Sequence, residues 1–272
     1  MHEQSEPAIL PRVFLVMTLF CSLSGSFFNL GTLVTFLLSA GGIFFLAGLV
    51  QGVTGFGAAL VAIPLLSLFL DIKTAVPLCI LNGLIITIYL AVTLRRHLDM
   101  CKIFPLFTGS IPGILTGVFL LKHVDPDIIR TLIGILLISY SLYNLLVKPK
   151  PLCPSVFWGY VAGFFTGAIT AALSAGGPPT IIYTTMTDWK KEVIKATLAG
   201  FFALNACVTV SIQALNGIIT GQILVYFIAT VPFVLAGTVA GSLVTDRINR
   251  STYLRVIYFF LTGMGIMMIW PL

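Results

Sequence analysis

Two apolar runs of the sequence, at 48–64 and 163–179, hold the residues best suited to bind a ligand. The first run reads GLVQGVTGFGAALVAIP, and two of its glycines and its proline recur 115 positions later in GFFTGAITAALSAGGPP, so that Gly48 is matched by Gly163. Glycine and proline interrupt a helix and leave backbone N–H and C=O groups without helical partners. Within a bilayer such groups are tolerated only where they are buried in protein or line a cavity. Paired interruptions in two halves of a chain therefore point to a ligand site.

The chemistry expected at these interruptions is the binding of an anion. Second half-helices are predicted to begin near Gly57 and near Gly176-Gly177-Pro178-Pro179. The free N–H groups and the positive dipole end at a helix N-terminus attract negative charge. No Asp, Glu, His, Lys or Arg lies in the middle of a predicted span. This disfavours intramembrane hydrolysis and carboxylate proton relays, which need ionisable groups at depth. The open alternative is that the glycines serve only close helix packing.

The predicted substrate site combines the backbone at the two breaks with neutral polar side chains and with two asparagines that follow downstream. Its members are Gln51, Gly52, Thr54, Gly55, Gly57, Pro64, Asn82, Thr166, Gly167, Thr170, Ser174, Gly176, Gly177, Pro178 and Asn205. For Asn82 and Asn205 a second role is equally open, because buried asparagines also join neighbouring membrane helices by hydrogen bonds.

Four cations at or near the ends of the predicted spans are candidates for vestibule or gating positions: Lys73, Lys195, Arg130 and Arg255. Interfacial cations commonly act only as anchors, and this alternative stays open for all four. No catalytic residue, metal site or cofactor is predicted. The five cysteines form neither a CxxC pair nor a metal-ligand spacing.

The composition indicates the elements that must position these residues. Of the 272 residues, 58% are hydrophobic and only 9% are charged, whereas a soluble domain carries about 25% charged residues. A β-barrel would show alternating strands of about 10 residues, but this chain has long continuous apolar runs. The sequence thus predicts an all-α, polytopic integral membrane protein. The net charge of +6 indicates Lys and Arg retained on the cytoplasmic side rather than nucleic-acid binding.

The two charge-free runs at 33–70 and 155–187 are too long for one crossing, which needs about 20 residues. Each is predicted to be a helical hairpin broken by glycine and proline, followed by three transmembrane helices. Those helices are expected at 75–94, 103–121 and 128–147, and again at 193–214, 221–244 and 252–270. The predicted segments are an N-terminal segment at 1–32 with an extra helix, repeat 1 at 33–147, a cytoplasmic linker at 148–154 and repeat 2 at 155–272.

The distribution of basic residues predicts the orientation. If each long run returns to its side of entry, 12 Lys and Arg residues are cytoplasmic and 3 are outside, as the positive-inside rule requires. The N-terminus is then cytoplasmic and the C-terminus outside, in the plasma or inner membrane. Three crossings per repeat also make the second repeat inverted relative to the first. The stretch at 12–28 is interpreted as a retained helix, with a signal peptide as the alternative.

The two broken runs, GLVQGVTGFGAALVAIPLL and GFFTGAITAALSAGGPPTIIY, each with an asparagine downstream, resemble the sulfite exporter TauE/SafE family of membrane permeases. The resemblance covers most of the chain from about residue 40. It implies a plasma-membrane transporter whose relatives export sulfite, sulfonates and other sulfur-containing anions. The positions that match the family motif are Gly52, Gly55, Gly57, Pro64, Gly167, Gly176, Gly177 and Pro178.

The leading hypothesis is a secondary transporter that exports sulfite or a small organosulfonate by alternating access. An anion channel, a carrier for another small organic anion, and a structural membrane protein are the alternatives, and an enzyme is the least favoured. The expected partners are a small anionic substrate and the lipid bilayer, with no nucleic acid, and a homodimer is left open.

Overall fold

The computed structural model describes residues 30–146, 154–187 and 189–244, and 258–269 except 260, 264 and 267. Within these ranges the regular structure is entirely helical, and six helices are long and apolar enough to cross a membrane. The prediction of an all-α polytopic membrane protein is confirmed. The chain forms two compact units, Met1–Ser39 and Ala40–Leu272, and the bundle and its cavity belong to the second.

The helices follow one another in the order predicted from the hydrophobic pattern. They are α1 (Leu30–Thr54), α2 (Ala58–Leu66), α3 (Ile72–Thr93), α4 (Met100–His123), α5 (Pro126–Leu146), α6 (Val156–Leu173), α7 (Gly177–Met186), α8 (Lys191–Leu215) and α9 (Gly221–Val244). A 3₁₀ turn at Arg95–His97 precedes α4, and the described residues of 258–269 form a C-terminal helical segment. The predicted helix at 12–28 lies outside the described residues, as does most of the predicted linker.

The two long runs are broken where the sequence predicts, and each yields a long helix followed by a short one. The short helices α2 and α7 have 9 and 10 residues. At 1.5 Å per residue neither can span a hydrocarbon core of about 30 Å. Helix α2 begins directly after Gly57, and α7 begins directly after Gly176, which confirms both predicted starts.

Both breaks begin with the same backbone turn. The N–H of Gly55 donates to the carbonyl of Gln51 at 2.7 Å, and the N–H of Ser174 donates to that of Thr170 at 2.8 Å. Residues 55 and 174 are both left-handed, with φ of +86° and +54°. The first break needs glycine a second time, because Gly57 has a φ of +95°. Equivalent residues of the two breaks are thus separated by 119 positions.

Glycine contacts between helices give the same separation. A Cβ atom on Gly113 of α4 would overlap the carbonyl oxygen of Phe164 of α6. Likewise, a Cβ atom on Gly237 of α9 would overlap that of Phe45 of α1. The two phenylalanines are again 119 positions apart, and the two glycines 124. The long helix of each broken run therefore packs against a helix from the other half of the chain.

Gly163 is therefore not the structural equivalent of Gly48, although the sequence match suggested it. Equivalent residues of the two runs are separated by 119 positions, not by 115. The equivalent of Gly48 is Gly167, one helical turn further on. Each run has two glycines four residues apart, so a sequence comparison matches glycines in either register. The shared proline is a coincidence of the wrong register: Pro64 is the seventh residue of α2, whereas Pro179 is the third of α7.

Helix α7 folds back along α6. The hydroxyls of Thr166 and Thr180 lie 2.6 Å apart, and a Cβ atom on Gly159 would lie 3.2 Å from the hydroxyl of Tyr183. Later residues of α7 thus lie beside earlier residues of α6, so the two helices are antiparallel. This is the hairpin geometry predicted for the run at 155–187. The repeat boundaries and the orientation in the membrane stay predictions.

Candidate functional site

A cavity of about 80 Å³ lies between the two breaks. A single water needs about 10–15 Å³ of such space, so the cavity has room for several waters or for one small polyatomic anion. Residues of both breaks line it, as do residues of α3 and α8: Gln51, Phe56, Gly57, Ala58, Ala59, Leu60, Cys79, Ile80, Gly83, Thr87, Thr170, Ser174, Ala175, Gly176, Gly177, Phe202 and Ala206.

The walls of this binding cavity come in equivalent pairs from the two halves of the chain. Gln51 and Thr170 are separated by the 119 positions found for the breaks. On α3 and α8, Cys79 is paired with Phe202 at a separation of 123, which is also the separation of Asn82 from Asn205. The cavity therefore lies where the two halves meet, and its two sides differ in the size and polarity of the paired residues.

Gln51 supplies the cavity with a side-chain donor. Its carboxamide oxygen accepts a hydrogen bond from the backbone N–H of Ala58 at 3.2 Å, which caps the first turn of α2. Gln51 is only 5% exposed, and it lines the cavity. Its Nε2 makes no hydrogen bond to any described residue. Because the oxygen is held by Ala58, the amide can offer a ligand its N–H groups.

The second break contributes hydroxyls and few backbone donors. Thr170 and Ser174 both line the cavity, and each hydroxyl can donate one hydrogen bond to a ligand. Helix α7 begins Gly177-Pro178-Pro179, and proline has no N–H. Its first turn is therefore poorer in backbone donors than that of α2, and the two hydroxyls compensate for part of that difference.

Several predicted site residues do not line the cavity. A Cβ atom on Gly52 would overlap the carbonyl oxygen of Thr238, and one on Gly167 would overlap that of Ser110. Both glycines thus allow close helix packing, the alternative that the sequence left open. Pro64 lies inside α2 and is buried.

Gly55 does not line the cavity either. Three more of the predicted residues, Thr54, Thr166 and Pro178, have other surroundings. The hydroxyl of Thr54 bonds to the carbonyl of Val50 at 2.8 Å and also contacts the carbonyl of Phe56. Thr166 is paired with Thr180. Pro178 lines a separate apolar cleft. These residues shape the hairpin tips rather than the cavity wall.

Asn82 and Asn205 lie behind the cavity and are bonded differently. The Nδ2 of Asn82 donates to the carbonyl of Leu78 at 3.0 Å and to the hydroxyl of Thr230 on α9 at 3.1 Å. The Nδ2 of Asn205 is buried and has no hydrogen-bond partner among the described residues. The equivalent of Thr230, at the α4–α9 separation of 124, is Leu106, whose side chain cannot accept a hydrogen bond.

One candidate vestibule cation approaches a break. A Cβ atom on Gly55 would lie 3.9 Å from the Cγ of Lys195, the fifth residue of α8. Lys73 lies in the first turn of α3, where its backbone N–H is bound by the carboxylate of Asp71. Neither of them lines the cavity, nor does Arg130 of α5. Arg255 lies outside the described residues.

The sequence did not predict the apolar half of the cavity wall. Phe56, Cys79 and Phe202 line it, and the contact between the breaks is made by Phe56, whose ring lies 4.0 Å from the Cβ position of Gly177. Two signals were available. Phe56 stands between the two glycines of the first break, and Cys79 and Phe202 each precede an asparagine by three residues.

A bundle of apolar helices with two broken runs around a small cavity defines the class of polytopic membrane transporters. The comparison with known families places the chain within that class. The family described as Sulfite exporter TauE/SafE matches residues 40–268, so the chain belongs to the TauE/SafE sulfite exporter family, a family of membrane transporters for sulfite and related sulfur anions. Searches of curated proteins and of solved structures gave no match.

Proposed function

We propose that the protein is a secondary transporter that exports small sulfur-containing anions, such as sulfite or organosulfonates, by alternating access. The observation that carries the proposal is the cavity bordered by both breaks. Family membership supports the class of cargo. The proposed substrate site consists of the predicted residues that border the cavity: Gln51, Gly57, Thr170, Ser174, Gly176 and Gly177.

The polar groups of the cavity favour an anion over a cation. The Gln51 oxygen is already bound to Ala58, so the amide has only its N–H groups left to offer a ligand. Backbone N–H groups at the start of α2, and the hydroxyls of Thr170 and Ser174, add further donors. No Asp, Glu, Lys, Arg or His is among the described residues that line the cavity. Neutral donors hold an anion without a full countercharge, which favours the release that transport requires.

Direct contact of Asn82 or Asn205 with the substrate would require a rearrangement, because neither lines the cavity in this state. We propose that they act from behind the wall, by holding α3 and α8. The Lys195 side chain beside Gly55 supports a role in drawing the anion toward the first break. The cytoplasmic N-terminus, the external C-terminus and the inversion of the repeats belong to the same proposal, and reporter fusions to the two termini test the orientation.

The decisive experiment is sulfite counterflow in proteoliposomes. Wild-type protein should give saturable exchange, and Gln51→Leu and Thr170→Val should each reduce it, since each removes a donor from one side of the cavity. Thr116→Val is the matched control, because Thr116 is exposed on α4 and its hydroxyl bonds to its own helix. Flux without saturation or counterflow would instead indicate a channel. An absence of exchange with sulfite, sulfonates and carboxylates would refute the proposed cargo.

A further inference from the structure

Each broken run also borders an apolar space that is separate from the binding cavity. Beside the second run is a cleft of about 530 Å³, lined by residues of α4, α5, α6 and α7. Beside the first run is a void of about 10 Å³, lined by residues of the first break, by Tyr140 and by Tyr258 and Leu261 of the C-terminal helical segment. The larger space has room for many side-chain atoms, whereas the smaller one holds about one water.

The two spaces occupy equivalent places in the two halves. At the separation of 119, Val50 and Thr54 of the void correspond to Ile169 and Leu173 of the cleft. The helices behind them, the C-terminal segment and α5, correspond at a separation of 125. This separation relates Leu261 of the void to Leu136 of the cleft. Three residues of the void thus have their equivalents in the cleft.

Two contacts show that α5 and the C-terminal segment pack against each other. A Cβ atom on Gly134 would lie 2.8 Å from the carbonyl oxygen of Gly265, and the rings of Tyr140 and Tyr258 meet edge to face. The separation of 125 itself comes from the sequence, where it relates Arg130 to Arg255.

We propose that the cleft and the void exchange during the transport cycle. In the opposite state, α5 packs against α6 and α7 and closes the cleft, while the C-terminal segment separates from α1 and opens the equivalent space beside the first break. This inference rests on the proposed function. Its physical basis is that two halves with the same architecture have access to the same two packing arrangements, and here each half has adopted a different one. The pairs expected to change their separation are therefore Leu136 with Leu173, which line the cleft, and Thr54 with Leu261, which line the void.

Two matched pairs of spin labels test the exchange without depending on the cargo. Leu136→Cys with Leu173→Cys reports on the cleft, and Thr54→Cys with Leu261→Cys reports on the void. Both pairs are placed in the full chain with the native cysteines replaced by serine. Distances are measured by electron paramagnetic resonance in lipid vesicles, with and without sulfite. We expect a short and a long population for each pair, with the long one favoured at 136/173 and the short one at 54/261.

A chemical cross-link between positions 54 and 261 should abolish the short population at 136/173 in a variant that carries both pairs. The proposed exchange would be overturned if each pair showed one distance that does not change with sulfite. It would also be overturned if the distances at 136/173 were the same with and without the cross-link. Failure of sulfite counterflow with retained switching would instead overturn only the proposed cargo. The two failures are therefore distinguishable.

A bulky residue in the cleft provides a second test. Ile169→Trp directs additional volume into the space that must close, and it should abolish counterflow while sulfite binding persists. Ile169→Leu, which conserves the volume, should retain counterflow. Normal counterflow by the tryptophan variant would contradict closure of the cleft.

Discussion

The side-chain oxygen of Gln51 and the backbone nitrogen of Ala58 are joined by a hydrogen bond of 3.2 Å that crosses the first break. The carboxamide group of Gln51 therefore has two functions. Its oxygen caps a half-helix too short to be stable alone, and the residue lines the cavity with its nitrogen available to a ligand. The equivalent residue of the second half is Thr170, which lines the cavity with a smaller polar group. The two halves thus use different side chains at one structural position.

Replacement of Gln51 by glutamate should separate its two functions, which are to cap α2 and to offer donors to the ligand. A glutamate oxygen can still accept from Ala58, but a buried carboxylate is costly unless it is protonated. We therefore expect the thermal stability of Gln51→Glu to stay near that of the wild type at low pH, where the carboxyl is neutral. At neutral pH the variant has a carboxylate in place of the amide donors, which should repel sulfite and lower counterflow. Gln51→Leu should lose both functions, with the missing cap costing about 1 kcal/mol. Equal stability of the leucine variant and the wild type would mean that Gln51 does not support the fold.

The left-handed backbone of Gly57 predicts that a side chain at this position lowers the free energy of unfolding through backbone strain alone. Its φ is +95°, and the nearest atom to a Cβ would be the Cδ1 of Leu60, at 3.7 Å. Gly57→Ala should therefore lower stability by about 1–2 kcal/mol through strain alone, measured by unfolding in detergent. Gly42→Ala is the control. Gly42 is exposed on α1 with nothing within 4 Å of a Cβ, and alanine there should be neutral or stabilising by up to about 1 kcal/mol. The opposite ranking would contradict the assigned backbone.

The spans and the two breaks could be predicted from the sequence because they depend on local properties. A charge-free run has a countable length, and Gly57 and Gly176 mark the starts of their half-helices. The register between the two halves could not be predicted, because glycines four residues apart match at 115 as well as at 119. The backbone of the two breaks and the three-dimensional contacts of Gly113 and Gly237 distinguish these registers.

The cavity wall was predicted only in its polar part. Glutamine and threonine are rare enough in apolar runs to attract attention, whereas Phe56 and Phe202 resemble every other apolar residue of the chain. The hydrogen bond between Asn82 and Thr230 joins residues 148 positions apart, and no local pattern indicates it. Which face of α3 or α8 meets the cavity depends on such distant packing.

The different bonding of the two asparagines predicts unequal effects of mutation. Thr230→Val removes the partner of Asn82 across the α3–α9 interface and should lower stability by about 1 kcal/mol, in the range measured for hydrogen bonds between membrane helices. Thr230→Ser should retain the bond. Asn205→Ala should cost less than Asn82→Ala, because the Asn205 Nδ2 has no partner to lose among the described residues. Equal losses for the two alanine variants would contradict this assignment.

The position of Cys79 in the cavity wall predicts protection by a bound ligand. A variant that retains Cys79 and has serine at the other four cysteines should react slowly with iodoacetamide, because this thiol is only 3% exposed. Methanesulfonate should slow the reaction further if it occupies the cavity, and as a sulfonate it does not consume the reagent as sulfite would. A variant that retains only Cys101 is the control, because that thiol is exposed and lies outside the cavity wall. Equal rates for Cys79 with and without methanesulfonate would mean that this sulfonate does not enter the site.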